Sequence, residues 1–251
     1  MTRTIRRLLK RSAQRLGFEI SWRSVAEPWF LYDRFVRHVQ NSQKVDVIFD
    51  VGANRGQTVA RFRSVFPSSD IYAFEPAPGP FTALREATEN DRHLKPFQLA
   101  LGEQDGQAIL FENAADVTSS LLRNDTRMHQ YVPPGMCTPT AQQVVAQMRL
   151  DTFLRQERLS TIDILKIDAQ GYERRILAGA GDCLNPTTIR SLYVEVQFVP
   201  LYEEQAWCGE IMELLRSRGY RLFGIVDVAA DLTHGWKWAD AMFVPETDNV
   251  A

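Results

Sequence analysis

The stretch VDVIFDVGANRGQTVARF, Val45 to Phe62, passes from an apolar run through two glycines into an amphipathic one, with an acid, Asp50, just ahead of the turn. A short apolar run, a glycine turn and a helical pattern in immediate succession make the opening unit of a parallel sheet, whose ligands bind beyond the carboxyl ends of the strands. From Lys44 onward the chain keeps alternating strand-like runs with helical stretches, the pattern of a sheet covered by helices on both faces.

Strands are expected at Val47 to Val51, Ile71 to Glu75, Phe97 to Leu101, Ala108 to Phe111, Ile162 to Asp168 and Ser191 to Val196. Helices are expected at Gly56 to Phe66, Phe81 to Asn90, Glu173 to Ala180 and Ala206 to Arg218. The last two strands, Tyr220 to Ile225 and Ala239 to Val244, are joined by a loop with no room for a crossover helix, so they must pair antiparallel. Glu112 to Gln143 shows little periodicity and is punctuated by Pro133, Pro134, Gly135 and Pro139; a loop of that length in a compact unit is usually functional or disordered.

A chain of 251 residues, 45% hydrophobic and 24% charged, suits one core-forming domain, assigned to residues 45–251 behind an N-terminal extension, 1–44. Cys137, Cys183 and Cys208 are too few and too scattered for a disulfide framework or a zinc site, and no apolar run is long enough to span a bilayer, so a cytoplasmic location is expected. Residues 1–24 hold seven Lys/Arg against one acid, Glu19, leaving 22 basic and 30 acidic residues in the remainder. An acidic body argues against a nucleic-acid partner. The extension itself, with Ile5, Leu8, Leu9 and Leu16 at near-helical spacing, reads as a basic amphipathic helix that either packs on the domain or makes peripheral contact with an anionic membrane surface.

The glycine turn narrows the ligand. Gly52 permits a tight turn and Gly56 an early helix start, yet Asn54 stands where a dinucleotide site needs its middle glycine. Asp50 adds negative charge where a pyrophosphate would lie. S-adenosylmethionine, with an ammonium, a sulfonium and no phosphate, suits that acid at its amino end. Glu75, at the end of the second expected strand, can accept both hydrogen bonds of a ribose diol.

A second stretch, TIDILKIDAQGYERRILAGA (161–180), puts Asp168 at the end of a buried strand and Gly171 in the turn behind it. Together with Asp50 to Thr58 (DVGANRGQT), Phe74-Glu-Pro76, Ala100-Leu-Gly102 and Leu165 to Glu173 (LKIDAQGYE), it resembles the FkbM-type S-adenosylmethionine-dependent methyltransferases over residues 45 to 245. The resemblance implies an α/β, Rossmann-like class I methyltransferase fold, a seven-stranded mostly parallel sheet with an antiparallel last strand. It also implies O-methylation of hydroxyls on sugars, polyketides and other secondary metabolites, and the acceptor expected here is a hydroxyl of a glycan, glycolipid or glycosylated metabolite. Gln170 stands where the family commonly has Glu.

The expected cofactor-binding set is Asp50, Gly52, Asn54, Gly56, Thr58, Glu75, Pro76, Ala100, Leu101, Ser119 and Asp168; Phe74, Ala100 and Leu101 either flank the adenine or, for two of the three, belong to the core. Asp168, Glu195 and Asp240 should converge at one sheet edge, where a crowded carboxylate of raised pKa can serve as base. The alternative is that these three hold a Mg²⁺, and a third reading pairs them with basic side chains, Lys166 among them. His129 and His234 are loop histidines that either act as base or are merely exposed. Tyr131, Tyr202, Trp236 and Trp238 offer flat faces to a sugar ring or pack in the hairpin. Ser120, like Ser119, either reaches the ligand or caps its loop.

Competing readings share the same turn. An N- or carboxyl-methyltransferase of small molecules would look alike, because the acceptor is set by residues 112 to 143 and 226 to 238. A membrane-surface module with a vestigial cofactor site is opposed by the intact Asp50, Gly52, Gly56, Glu75 and Asp168. A nicotinamide oxidoreductase is opposed by Asn54, and a nucleic-acid methyltransferase by the lack of an Asn/Asp-Pro-Pro-aromatic block.

Overall fold

A computed structural model describes residues 35, 36, 38, 39 and 44–246. The expected helix within residues 1–24 lies outside them.

The central sheet has seven strands in the order β3-β2-β1-β7-β8-β10-β9. In chain order these are β1 (Val47–Val51), β2 (Asp70–Phe74), β3 (Leu94–Phe97), β7 (Ile164–Ile167), β8 (Leu192–Gln197), β9 (Tyr220–Asp231) and β10 (Gly235–Pro245). β1, β2, β3, β7 and β8 pair in parallel, while β10 runs antiparallel to both β8 and β9. The strand order turns back at β1 and β7, which lie side by side, and there the sheet opens a crevice at its carboxyl edge.

Alternation within the strands explains the two layers of packing. Ile48, Ile71, Ile164 and Met242 face one side, where they meet Val59 and Phe62 of α1 (Gln57–Val65), Leu84 of α2 (Pro78–Ala87) and Phe35, Val36 and Val39. The folded core therefore reaches upstream of residue 44. Phe49, Val51, Leu165, Ile167 and Val194 face the other side, covered by α3 (Leu150–Glu157), α4 (Glu173–Gly179) and α5 (Cys208–Ser217). Phe153 of α3 sets its ring edge-on to Phe49, Phe74 and Phe97, at 5.7, 4.8 and 5.0 Å between centroids. Aromatic rings prefer such edge-to-face contact over flat stacking.

A second sheet departs from the pattern read in the sequence. β4 (Ala100–Gly102), β5 (Gly106–Asn113) and β6 (Pro139–Arg149) form it in the order β4-β6-β5, so Phe97 to Leu101 is two strands in two sheets, not one. β6 begins inside the stretch expected to be a loop. Its residues are mostly exposed, Val144 among them, and a strand with so little buried surface leaves no apolar alternation to read. Between β5 and β6 lie two short 3-10 turns, Asp116–Thr118 and Met128–Gln130, the first of them over the crevice.

Candidate active site

A cleft opens at the β1/β7 edge. Its floor is Val51, Gly52 and Asn54 after β1; Phe74, Glu75, Pro76 and Ala77 line it after β2, and Asp168, Ala169 and Gln170 after β7. Leu99, Ala100, Leu101 and the Val117 to Leu121 segment close the remaining side. Among the described residues the wall carries three acids, Glu75, Asp116 and Asp168, and no Lys, Arg or His.

Glu75 is anchored from both sides. Its Oε2 accepts the Asn54 N–H at 2.9 Å and its Oε1 the Ala77 N–H at 2.8 Å. Burial pushes its pKa up to about 7, against the pull of those two N–H groups. Each oxygen keeps a lone pair for a further donor. Asn54 holds the turn in a left-handed conformation, φ 48°, which Asn tolerates better than most residues.

Gly52, on the cleft floor, is also required by the chain itself. A Cβ there would stand 1.9 Å from the carbonyl oxygen of Asp168, so the glycine is what lets the ends of β1 and β7 close on each other. Gly171 is similar: φ is +92° and a Cβ would lie 2.9 Å from the Tyr202 ring. Gly171→Ala is expected to cost about 2 kcal/mol of stability, read as a lower urea midpoint at unchanged slope.

Eight of the eleven expected cofactor residues line the cleft: Gly52, Asn54, Glu75, Pro76, Ala100, Leu101, Ser119 and Asp168. Asp50, Gly56 and Thr58 do not. Gly56 takes the left-handed N-cap of α1 and lies against Leu84, and Thr58 is in the first turn of that helix. Asp50 is 0% exposed, and its counter-charge is Lys166, 3% exposed, whose ammonium stands 2.9 Å from Oδ1. The pairing follows from register, because Asp50 and Lys166 are cross-strand partners on β1 and β7. Direct contact of Asp50 with a ligand's ammonium is therefore replaced by an internal ion pair. Burial alone would depress the Lys166 ammonium; the carboxylates of Asp50 and Asp168 outweigh it and hold the pKa above its ordinary value. The same ammonium lies 3.6 Å from Asp168 Oδ2 and donates to the Gly52 carbonyl at 3.0 Å.

Asp168, Glu195 and Asp240 do gather behind the cleft, but only Asp168, with its side chain 37% exposed, is on its wall. Glu195 and Asp240 are register partners on β8 and β10. Asp240 Oδ2 accepts the Tyr193 hydroxyl at 2.7 Å, and burial followed by the nearby Asp168 charge pushes Asp240 up to about 7. Burial and the charges of Asp168, Glu173 and Asp240 push Glu195 well above the usual carboxylate range. The Mg²⁺ reading does not fit this donor set: amide N–H groups and the Lys166 ammonium stand between the acids where a cation would have to sit. Among the described residues no group of three or more His, Cys, Asp or Glu is placed to hold a metal ion.

Other candidates separate. Ser119 Oγ accepts the Asn113 N–H at 3.1 Å on the cleft wall, and Ser120 Oγ donates to the Gln170 carbonyl at 2.7 Å. Tyr202 is core, not a platform, with its hydroxyl donating to Thr118 O and Gln170 Oε1. Tyr131 and His234, from the two segments expected to set the acceptor, meet edge-on at 5.0 Å, and Phe198 meets Trp236, 52% exposed, at 5.4 Å. His234 is tied to Asp231 and His129 to the Thr126 carbonyl; neither is on the cleft wall. Trp238 packs against the core. Nothing in the sequence marks Leu99, Leu110, Asp116 or Val117 as lining residues: Leu99 and Leu110 read as ordinary apolar residues in or beside strands, and Asp116 and Val117 lie in a 3-10 turn that folds over the cleft from a distant part of the chain. An ion pair at 2.8 Å between Arg55 and Asp116 joins the glycine turn to that overlying segment.

Strand order 3-2-1-4-5-7-6 in sheet position, a lone antiparallel strand and an acid-lined crevice at the reversal define a Rossmann-like class I methyltransferase. Residues 50–222 match the family described as the methyltransferase FkbM domain, and the chain belongs to that family. It is 29% identical to the 31-O-demethyl-FK506 methyltransferase FkbM of Streptomyces tacrolimicus, over 81% of this chain and 86% of that one. It is 27% identical to the 2-O-methyltransferase NoeI of Sinorhizobium fredii, over 68% and 71% respectively. A solved methyltransferase FkbM from Methylobacillus flagellatus KT superposes with a TM-score of 0.51 at 14% identity, covering 80% of this chain but only 44% of that one, which supports the fold alone. No helix among the described residues is long and apolar enough to cross a membrane.

Proposed function

We propose that this protein transfers a methyl group from S-adenosylmethionine to a hydroxyl of a sugar, glycolipid, or other glycosylated or secondary metabolite. The observation that carries the reading is the cleft wall itself: apolar on its flanks, acidic at Glu75, Asp116 and Asp168, and free of basic side chains. The basic groups nearest the wall, Arg55 and Lys166, are already paired with Asp116 and Asp168, which leaves little counter-charge for a pyrophosphate, whereas a nucleoside bearing a sulfonium and an ammonium finds carboxylates at both ends.

The two oxygens of Glu75 would take the ribose hydroxyls, with the adenine between Phe74 and Ala100–Leu101 and the amino end toward Asp168. The bound cofactor supplies an electrophilic methyl on a positively charged sulfur. This chain's part is to hold an acceptor hydroxyl in line with that methyl and to take its proton, for which the raised carboxylates behind Asp168 are suited. The Tyr131–His234 and Phe198–Trp236 pairs are proposed as the acceptor wall. Relatives whose names specify O-methylation support an oxygen acceptor. A peripheral membrane role for residues 1–24 remains a separate proposal.

Labelled methyl transfer into a panel of hydroxylated glycosides tests the reading. Label that survives mild alkali as an ether is expected; label released by alkali would instead identify a carboxyl acceptor and methyl esters.

A further inference from the structure

Glu195 is oriented without a cation. Its Oε2 accepts from two primary amides, Gln170 Nε2 at 3.1 Å and Gln197 Nε2 at 2.9 Å, and no described residue donates to Oε1. The Gln170 amide also donates to Asp168 Oδ1 at 2.8 Å, so one NH₂ group spans two carboxylates. On its other side, Gln170 Oε1 accepts the buried Tyr202 hydroxyl at 2.9 Å. That contact fixes the amide, because turning it over would set a carbonyl against both acids. The backbone is held as well: Gln170 has φ 55°, its carbonyl accepts Ser120 Oγ, and the next N–H, of Gly171, is bound by Glu173 Oε1 at 3.1 Å.

Facing Glu195 are Asp168 and Lys166 at the end of β7, Glu173 from α4, Asp240 from β10 and Tyr202 after β8. Lys166 spends its short contacts on Asp50 and Asp168. An ammonium on Glu195 would hold it in place but strip its basicity; neutral amides hold it and weaken it less.

We propose that Gln170, with Gln197, is a positioning residue that aims Glu195 so that Oε1 receives the proton of the acceptor hydroxyl. The inference rests on the methyl-transfer reading above. In that step the acceptor oxygen forms a bond to the methyl carbon, the carbon–sulfur bond breaks with its electron pair going to sulfur, and the hydroxyl proton passes to Glu195 Oε1. The sulfonium charge is lost as the thioether forms, and Glu195 later releases its proton to solvent. A Glu at 170 would replace the donor that bridges Asp168 and Glu195 by a fifth acid beside Asp168, Glu173, Glu195 and Asp240.

The test is a ¹³C-carboxyl NMR titration of the full chain, with Glu195→Gln used to assign the Glu195 signal. Gln170→Leu removes a donor to the charged form and is expected to raise the Glu195 midpoint by about one pH unit. Gln170→Glu, which also adds a like charge, is expected to raise it further. Gln197→Leu removes the other amide without touching the left-handed turn, and should move the midpoint the same way if the 170 variants fold poorly. A purely structural role would lower thermal stability while leaving the midpoint where it is in the unaltered chain, and that result overturns the proposal. Binding of S-adenosylhomocysteine to the unaltered chain is measured alongside. Its absence would sink the methyl-transfer reading, whereas binding with an unmoved midpoint would sink only the role of Gln170.

Discussion

Lys166→Met is expected to destabilise the fold by about 3–5 kcal/mol, the cost of leaving a buried carboxylate without its counter-charge. Asp50 is fully enclosed, neither of its oxygens accepts a well-aligned hydrogen bond among the described residues, and the ammonium at 2.9 Å is what compensates it. The pair sits between β1 and β7, directly under the glycine turn, so losing it should also loosen the cleft floor. Urea unfolding of Lys166→Met, Asp50→Asn and the double variant gives the coupling. The double variant is expected to recover more than half of the single loss, since it removes both charges together. A Lys166→Met loss no larger than that of an ordinary surface substitution would show that Asp50 is not ionised.

The second large effect concerns Glu75. Glu75→Ala is expected to weaken S-adenosylhomocysteine binding by about 100-fold, two hydrogen bonds to a charged acceptor being worth several kcal/mol in a buried site. The pH dependence has a definite sign. Glu75 titrates near 4.5 when unperturbed and near 7 in the fold, so the folded chain holds that proton more tightly. Its contribution to stability is full below about pH 4.5 and is lost as pH rises through about 7. Binding runs the other way. Ribose hydroxyls donate to the ionised form, so affinity should climb with pH toward 7 and then level, and below 7 each binding event should release a proton. Heats measured in buffers of different ionisation enthalpy would show that release, and Glu75→Gln should abolish it. An affinity flat from pH 5 to 8 in the unaltered chain would contradict the ribose role.

The sequence disclosed the central sheet because its strands are buried on both faces and read as unbroken apolar runs. Val47 to Val51 is found at the residues expected, and the β9–β10 hairpin followed from a connection too short for a crossover. The strands themselves run well beyond expectation, to Asp231 and from Gly235, because their outer halves project into solvent and carry no buried face. β6 escaped for the same reason. At the site, residues beside the strand ends were legible, since a turn motif places them within a few residues of a known edge. The ion pair of Asp50 was not legible because Lys166 is 116 residues away and only cross-strand register reveals it. Gln170 was visible as a departure from a family pattern, but its work depends on Glu195, Gln197 and Tyr202, three side chains brought to it by another strand and the loop that follows. In the Val117 to Leu121 wall only Ser119 and Ser120 were legible, as hydroxyls in a long loop; Val117 and Leu121 had no signal, because a loop that folds back over a cleft has neither period nor motif.

Whether the acid-lined cleft takes a cationic, phosphate-free adenosyl cofactor is decided by calorimetry on the purified full chain. S-adenosylmethionine and S-adenosylhomocysteine are predicted to bind with one-to-one stoichiometry, more tightly above pH 7 than at pH 5, while NAD⁺ gives no heat. Saturable binding of NAD⁺, or no binding of either adenosyl compound, would rule that cofactor out.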